Sequence, residues 1–258
     1  MKEKSPGLDV ISEMDVKPWR FELKYRVNAF DFYRLRNAIR PFAQPDNFTI
    51  IAPPGGYLVR TLYFDTFNLK SYHEKMNGDH ERIKFRLRTY TREFNDQTEI
   101  RAEMKVRKGN AMEKYGVMIS PDEYLHFIQT KHWPLNSNPV LQEFERHVHL
   151  WGLRPQVLVE YQREGYHDRD KKGIRITFDQ KVKGAHSSSL FPDQEPFFRH
   201  FQPQTVIVEI KCRNDHPDWL RNLIRNHGLK WIANSKFTHG IQSAKHDLYH
   251  PGGVVIVR

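Results

Sequence analysis

The chain has 258 residues, with 41 Lys and Arg against 31 Asp and Glu, a formal net charge of +10 and a pI near 9.6. That length can bury a sizeable core in one large β-rich domain or in two, and the charge points to an anionic partner: nucleic acid, an acidic membrane surface or a phosphorylated small molecule. One cysteine, Cys212, excludes an intramolecular disulfide and fits a reducing compartment, and no apolar run of about 18 residues is present to span a membrane.

Residues 1–18 read as a flexible leader ending at Lys17-Pro18, with no apolar stretch resembling a signal peptide. A strand follows over 20–27. Asn28 then caps a helix running through Phe42, with Phe30, Tyr33 and Ile39 as packing residues. Pro41, Pro45, Pro53-Pro54 and Gly55-Gly56 mark a loop. A strand over 57–65 passes through Tyr63-Phe64-Asp65, a short helix covers 68–75, and strands cover 81–91 and 97–108. Ser120-Pro121-Asp122-Glu123 opens a helix that reaches 131, with Pro in the first turn and a carboxylate at the capping-box position. A further helix covers 139–150. Strands return at 155–165, 173–182 and 205–213. The stretch 184–204, with three serines and three prolines, reads as an irregular insertion. Pro217-Asp218-Trp219-Leu220 opens a helix ending at Gly228, and a last helix begins near Lys236 and continues past Gln242. Val254-Val255-Ile256-Val257, within a tail at 251–258, is too short for an anchor. No internal repeat or low-complexity block appears. The order predicts an α+β fold: roughly eight antiparallel strands closed into a β-barrel tunnel, helices packed outside, in a single domain over 19–250.

Charge alternates along these strands. Arg20, Glu22, Lys24 and Arg26 occupy even positions, as do Arg82, Lys84, Arg86 and Arg88. Glu99, Arg101, Glu103, Lys105 and Arg107 occupy odd ones, joined by Arg163, by Arg175, Thr177 and Asp179, and by Glu209, Lys211 and Arg213. Side chains on a strand alternate between faces, so each run lines one side of a sheet with cations. One such strand is an ordinary solvated face over a core. Six of them, curled with those faces inward, make a basic tunnel dotted with carboxylates, suited to a chain of phosphates and a metal ion.

Phosphoryl transfer needs phosphates held in line, their charge neutralised and a divalent metal on the transferring group. Arg grips phosphate bidentately and Lys acts as a point charge. Arg86 and Arg88 share a face about 7 Å apart, and Lys105 and Arg107 repeat the arrangement on the next strand. The carboxylates have two readings. Glu22, Glu99 and Glu103 are either salt-bridge partners or oxygen ligands for magnesium or manganese. Glu209 is the best ligand candidate, because Val206, Val208 and Ile210 pack the opposite face while Glu209 and Lys211 point together. Tyr63, Phe64 and Cys212 read as packed residues. His147 and His149, two apart on a helix, cannot share a face, and the fourteen histidines show no zinc spacing. No Walker-type loop is present. Aromatics do not interleave with the basic positions on one strand face, which argues against a nucleic-acid stacking platform.

In order along the chain stand Lys24-Tyr25, Leu62-Tyr63-Phe64-Asp65, Arg86-Leu87-Arg88-x-Tyr90, Glu103-x-Lys105, Tyr161-x-Arg163, Arg175-Ile176-x-x-Asp179, Val208-Glu209-Ile210-Lys211 and Ser235-Lys236-Phe237-x-His239-Gly240. With these motifs the chain resembles, over about residues 20–242, the polyphosphate polymerase domain of the vacuolar transporter chaperone (VTC) complex, within the triphosphate tunnel metalloenzyme, or CYTH-like, group. The resemblance implies an eight-stranded tunnel that binds a triphosphate and a growing polyphosphate chain with Mn2+ or Mg2+. Carried over by position, it implies phosphate binding by Lys24, Arg86, Arg88, Lys105, Arg163, Arg175, Ser235 and Lys236, with Glu209 as metal ligand. Arg107 and Lys114 fall at further basic tunnel positions, and Lys211 accompanies Glu209 on its face. The wider group carries Glu-x-Glu-x-Lys where this chain has Arg20-x-Glu22-x-Lys24, which argues against the triphosphatase branch. The regulatory domain and membrane helices of the eukaryotic enzyme have no counterpart here, so a membrane protein partner is expected to supply that role. The expected location is cytoplasmic, at the inner face of a membrane through that partner. The leading expectation is an enzyme moving the terminal phosphate of ATP onto polyphosphate. Its alternatives are a tripolyphosphate or nucleoside triphosphate hydrolase of the same fold, and a non-catalytic polyphosphate or inositol-phosphate binding domain.

Overall fold

The alternating segments form strands in the computed structural model, which describes residues 21–109, 111–134, 138–170, 173–212 and 216–249. The expected leader and tail, and the pattern positions Arg20 and Arg213, lie outside the described residues. The strands are β1 (Phe21–Asn28), β2 (Ala43–Pro45), β3 (Tyr57–Asp65), β4 (Glu81–Thr89), β5 (Ile100–Lys108), β6 (Ala111–Ile119), β7 (Arg154–Asp168), β8 (Arg175–His186), β9 (Arg199–His200) and β10 (Thr205–Cys212). The helices are α1 (Ala29–Ile39), α2 (Asn47–Ile51), α3 (Lys70–Asn77), α4 (Pro121–Thr130), α5 (Pro139–Trp151), α6 (Asp218–Asn226) and α7 (Lys236–Tyr249).

Eight strands follow one antiparallel path, β1-β10-β8-β7-β3-β4-β5-β6, with β2 added to β7 and β9 to β8. The fold is α+β, as expected, but the barrel is not closed. Among the described residues no ladder joins β1 to β6; the free side of β1 instead takes a short bridge from the segment before α7, Tyr25 to Trp231, with Ile232 N donating to Lys24 O at 2.8 Å. The sheet nevertheless curls until side chains from its two ends meet, with Lys105 of β5 3.3 Å from Glu22 of β1.

The two faces separate cleanly. On the convex face of β3 to β6, Leu62, Phe64, Phe85, Leu87, Ala102 and Met104 pack against Phe127 of α4 and Phe144 and Val148 of α5. On the convex face of β1, β10 and β8, Tyr25, Phe178, Val208 and Ile210 pack against Phe32, Leu35 and Ile39 of α1 and Leu220 of α6. The expected packing residues Phe30 and Tyr33 are instead 69% and 53% exposed. The helical period carries the buried stripe through 32, 35 and 39, and Arg34 and Arg36 cover the two displaced rings. Ser120 and Glu123 form the expected reciprocal cap of α4.

Helix α7 is placed differently. Its Phe237, Ile241 and Ala244 pack on the concave face against Val59, Tyr63, Val157, Val159 and Tyr161. Two glycines permit this approach: a Cβ on Gly184 of β8 would lie 2.7 Å from Gly240 Cα, and one on Gly240 2.6 Å from a Val159 methyl. Four elements fall where no regular structure was expected: β2 and α2 in the proline-rich loop, all of β6, and β9 within 184–204. The segment expected to be an irregular insertion is anchored. Leu190 is fully buried, and the buried Arg60 donates to Leu190 O at 2.7 Å, to Glu160 at 2.5 Å and to Glu195 at 2.7 Å.

Candidate functional site

Strand register decides which side chains share the concave face. On β1 and β10, Lys24 lies opposite Glu209 and Glu22 opposite Lys211. Glu209 pairs in turn with Thr177 of β8, and Lys211 with Arg175. Asp179 lies opposite Arg163 of β7, Arg163 opposite Tyr57 of β3, Tyr63 opposite Arg86 of β4, and Arg86 opposite Glu103 of β5. Lys105 lies opposite Lys84 on one side and Lys114 of β6 on the other. Most of the cations and carboxylates anticipated from alternation therefore line one lumen.

Four carboxylates hold this lumen's cations. Glu103, nearly inaccessible, is bound by Arg86 Nε at 2.6 Å and Lys114, with Arg88 Nε at 3.6 Å and Arg101 Nε at 3.8 Å. Asp179 takes both Arg163 nitrogens, Nε at 2.6 Å and Nη2 at 2.8 Å, and also Lys236. Glu22 binds Lys24 at 2.8 Å as well as Lys105. Glu209 binds Lys211 at 2.7 Å. Arg175 reaches Asp46, the buried cap of α2, at 3.0 Å and Tyr57 Oη at 3.4 Å. Ser235 accepts from Lys84 Nζ at 3.1 Å, and Lys24 Nζ donates to Asn234 O at 3.1 Å, so the entry to α7 forms part of the wall. Arg107 sits at the rim, donating to Gly109 O in the turn after β5. Glu99 lies exposed before β5, away from the group.

The electrostatics are those of crowded cations sharing too few anions. Burial raises the Glu22 carboxyl and Glu209 repels its charge, yet Lys105, Lys24 and Lys211 prevail and hold it near 2. Burial likewise opposes ionisation of Glu209, but Lys211, Lys24, Lys236 and Arg163 carry it well below the usual range. Asp179 is lowered by Arg163 and Lys236 against its own burial. Lysines move the other way. Burial, reinforced by Lys24 and Lys211 and only partly offset by Glu22, brings Lys105 to about 8. Burial brings Lys114 to about 7, with Arg86 and Arg88 acting against Glu103. Lys84 falls well below its usual value through burial and then through Lys105 and Lys24, and no carboxylate lies within ion-pair distance of it among the described residues. Several polar atoms here are buried with no hydrogen bond: Arg88 Nε, Arg175 Nε, Thr61 Oγ1 and Thr177 Oγ1. Such atoms are costly unless a ligand or solvent meets them.

Sequence reasoning missed some of this wall. Lys84 was visible as a pattern position but not singled out, and its isolation depends on register. Asp179 stands in the Arg175-Ile176-x-x-Asp179 motif, whose spacing says nothing of its pairing with Arg163 and Lys236. Aromatic rings do share the basic face. Tyr63 is 5% exposed and packs in the α7 cluster, yet its hydroxyl accepts from Arg86 Nη1 at 3.3 Å. Arg163 and Lys236 lie 5.2 Å and 4.7 Å from the Tyr161 ring centroid. Tyr161 and Arg163 are two apart on one strand, so this interleaving was readable. Cys212 is buried in the convex core, away from Glu209 and Lys211. No helix among the described residues is long and apolar enough to cross a membrane.

Among solved structures, a Bacillus halodurans protein described provisionally as an adenylate cyclase is similar over 84% of this chain and 94% of its own, with a TM-score of 0.54 at 11% identity. The PH1819 protein of Pyrococcus horikoshii OT3 is similar over 85% of this chain and 97% of its own, with a TM-score of 0.43 at 14% identity. No curated protein matches the sequence. The VTC domain family matches residues 19–245, which takes in every strand and helix of the lumen except the last turn of α7. The chain therefore belongs to the VTC domain family and shares its fold with the Bacillus halodurans protein.

Proposed function

We propose that the lumen is the active site of an ATP-dependent polyphosphate polymerase, which transfers the terminal phosphate of ATP onto a growing polyphosphate chain. The carrying observation is the lumen itself: at least eight inward cations share four carboxylates, and the buried Arg88 and Arg175 Nε atoms make no hydrogen bond. A row of phosphates supplies the missing acceptors. In this reading Arg86 and Arg88 grip one segment of the chain, Arg163 and Arg175 another, and Lys24, Lys84, Lys105, Lys236 and Ser235 line the path between. Glu103 and Asp179 hold the guanidinium planes in register. Arg107, Lys114 and Lys211 extend the cationic path.

The reaction forms a bond from a terminal phosphate oxygen of the chain to the γ-phosphorus, breaks the β–γ bridging bond and releases ADP. The attacking oxygen is already ionised and needs no base. Hydrolysis needs a proton taken from water, and Glu22, Glu209 and Asp179 are all held below the usual carboxylate range, which makes them weak bases. Lys105 and Lys114, lowered to about 8 and about 7, carry neutral amines that can take that proton, so product analysis is what separates the polymerase from the hydrolase. A nucleotide is favoured by the aromatic group beside Arg175: Phe48, Tyr57 and Tyr90 pack with ring centroids 5.3–6.0 Å apart, and Phe48 and Tyr90 expose ring surface on which a base can stack.

A divalent metal fits the oxygen donors of Glu22 and Glu209, two ionised carboxylates that repel each other on adjacent strands. Glu103 fits less well, since four cations lie within ion-pair distance of its carboxylate, against two for Glu22 and one for Glu209 among the described residues. When bound, Mn2+ or Mg2+ would neutralise charge on the transferring phosphate. The same reading puts the chain in the cytoplasm with ATP and leaves any membrane role to a separate partner.

The test is incubation with ATP and Mn2+, followed by gel analysis. Long phosphate chains are expected. Free phosphate and ADP without chains would replace the polymerase with the hydrolase. Tight polyphosphate binding with ATP left intact would make the domain a binding module.

A further inference from the structure

A second group of potential ligands lies on the outer side of the molecule, away from the lumen. Helix α4 ends at Lys131, a non-glycine residue in the left-handed region at φ 64°, which turns the chain back over α5. Trp133 then stacks on Phe127 with centroids 3.8 Å apart, fixing the turn. This sets His132 beside Glu145 and His149 of α5. Glu145 and His149 are four residues apart and share one helix face. The His132 Nδ1 to Glu145 Oε1 distance is 2.9 Å, and the two imidazoles stack with centroids 4.5 Å apart. One ligand atom from each of the three residues falls within 4.8 Å of the others.

We propose that His132, Glu145 and His149 form a transition-metal site, with zinc as the fitting ion. Two nitrogens and one carboxylate oxygen suit zinc and its late first-row neighbours, whereas magnesium and manganese favour all-oxygen sets such as the lumen's. The carboxylate is already oriented, because Glu145 Oε2 accepts from Trp133 N at 2.7 Å and leaves Oε1 toward the histidines. The Lys131 carbonyl, 3.1 Å from His149 Nε2, or water completes four-coordination. Neighbouring cations are engaged elsewhere: Arg146 binds Glu143 at 2.8 and 2.9 Å, and the Lys131 ammonium bonds Ile128 O. Both histidines are exposed, and a cavity of about 330 Å³ bordered by Trp133, Glu145 and His149 adjoins them, so an ion can enter. His147 takes no part, being buried with its ring against Trp151. The histidines are 17 positions apart in sequence and no linear spacing announces them.

The experiment is calorimetric titration of the tag-free, metal-stripped chain with Zn2+ in excess Mg2+, with Co2+ absorption in the visible as a second readout. One equivalent is expected, with a tetrahedral cobalt spectrum. His132→Ala and His149→Ala are each expected to weaken zinc at least tenfold while keeping the wild-type circular dichroism. Glu209→Gln, in the lumen, is expected to keep the zinc equivalent. Equal zinc binding in wild type and both histidine variants would overturn the site, as would absence of saturable zinc binding in the wild type.

Discussion

Binding of polyphosphate should draw protons from solution. Lys105 stands near 8 and Lys114 near 7 in the free protein. At pH 8 they are therefore about half and about one-tenth protonated. A phosphate charge about 4 Å away contributes roughly 4 kcal/mol at an effective dielectric of 20 before screening, about three pKa units, which returns both lysines to full charge. Uptake at pH 8 is then about 1.4 protons per site, and Lys84, also lowered, adds to it. Affinity should fall on the order of fiftyfold from pH 8 to pH 9 as those protons become harder to acquire. The assay is calorimetry of long-chain polyphosphate with metal chelated, in buffers of different ionisation enthalpy; the slope of heat against that enthalpy counts protons. Internal phosphates carry no proton to release at this pH, so they do not mask the lysines. Lys114→Met should remove about 0.9 proton and Lys105→Met about half. A zero slope, or proton release, in the wild type would refute the reasoning. The free protein should show the opposite trend. Its unfolded chain binds more protons than the fold does between the lowered and ordinary lysine values, so stability should rise with pH from about 7 to 10.

Glu209→Gln should cut metal-dependent turnover about a hundredfold or more while metal-free polyphosphate binding holds or tightens; a folded variant of near-normal rate would shift the metal to Glu22 and its neighbours. Tyr90→Ala should weaken ATP by about 1–3 kcal/mol and leave tripolyphosphate unchanged; equal loss for both ligands would remove the stacking role. Gly184→Ala drives a methyl into the α7 backbone and should cost about 1–3 kcal/mol, lowering Tm by roughly 2–12 °C with weaker phosphate binding, because Lys236 and Ser235 enter the lumen from the start of that helix; unchanged melting would show that α7 is not seated as described.

Alternation made the concave cations legible before any coordinates, because the period of a strand is a local property. Lys24, Arg86, Lys105 and Glu209 fell on the lumen face for that reason alone. Partnership was less legible. That Glu103 collects four cations while Lys84 meets no carboxylate among the described residues depends on the register between strands, which no single strand encodes. β6 escaped notice because Glu113, Lys114 and Gly116 interrupt its apolar positions. Gly116 faces Arg101 and Glu103 of the neighbouring strand closely, a Cβ there lying 3.0 Å from Arg101 Nε. Closure was inferred from the need to shelter a polar face, but curling alone does that. The histidine group was invisible because its geometry comes from a left-handed turn at Lys131, a residue type that rarely adopts one.

The missing ladder between β1 and β6 has a mechanical meaning. In a closed barrel, strand number and stagger set the girth, and widening it breaks backbone hydrogen bonds. Here β5 and β1 are linked across the lumen by the flexible side chains of Lys105 and Glu22, beside the segment entering α7, whose Ile232 N donates to Lys24 O at 2.8 Å. The distance between β5 and β1 can therefore adjust by rotamer shifts with every ladder intact. The tie is also chemically addressed to the cargo, since a phosphate that takes Lys105 removes Glu22's hold on it. A polyanion loosens the clasp by binding, and the molecule behaves as a sleeve with a seam rather than a pipe of fixed bore.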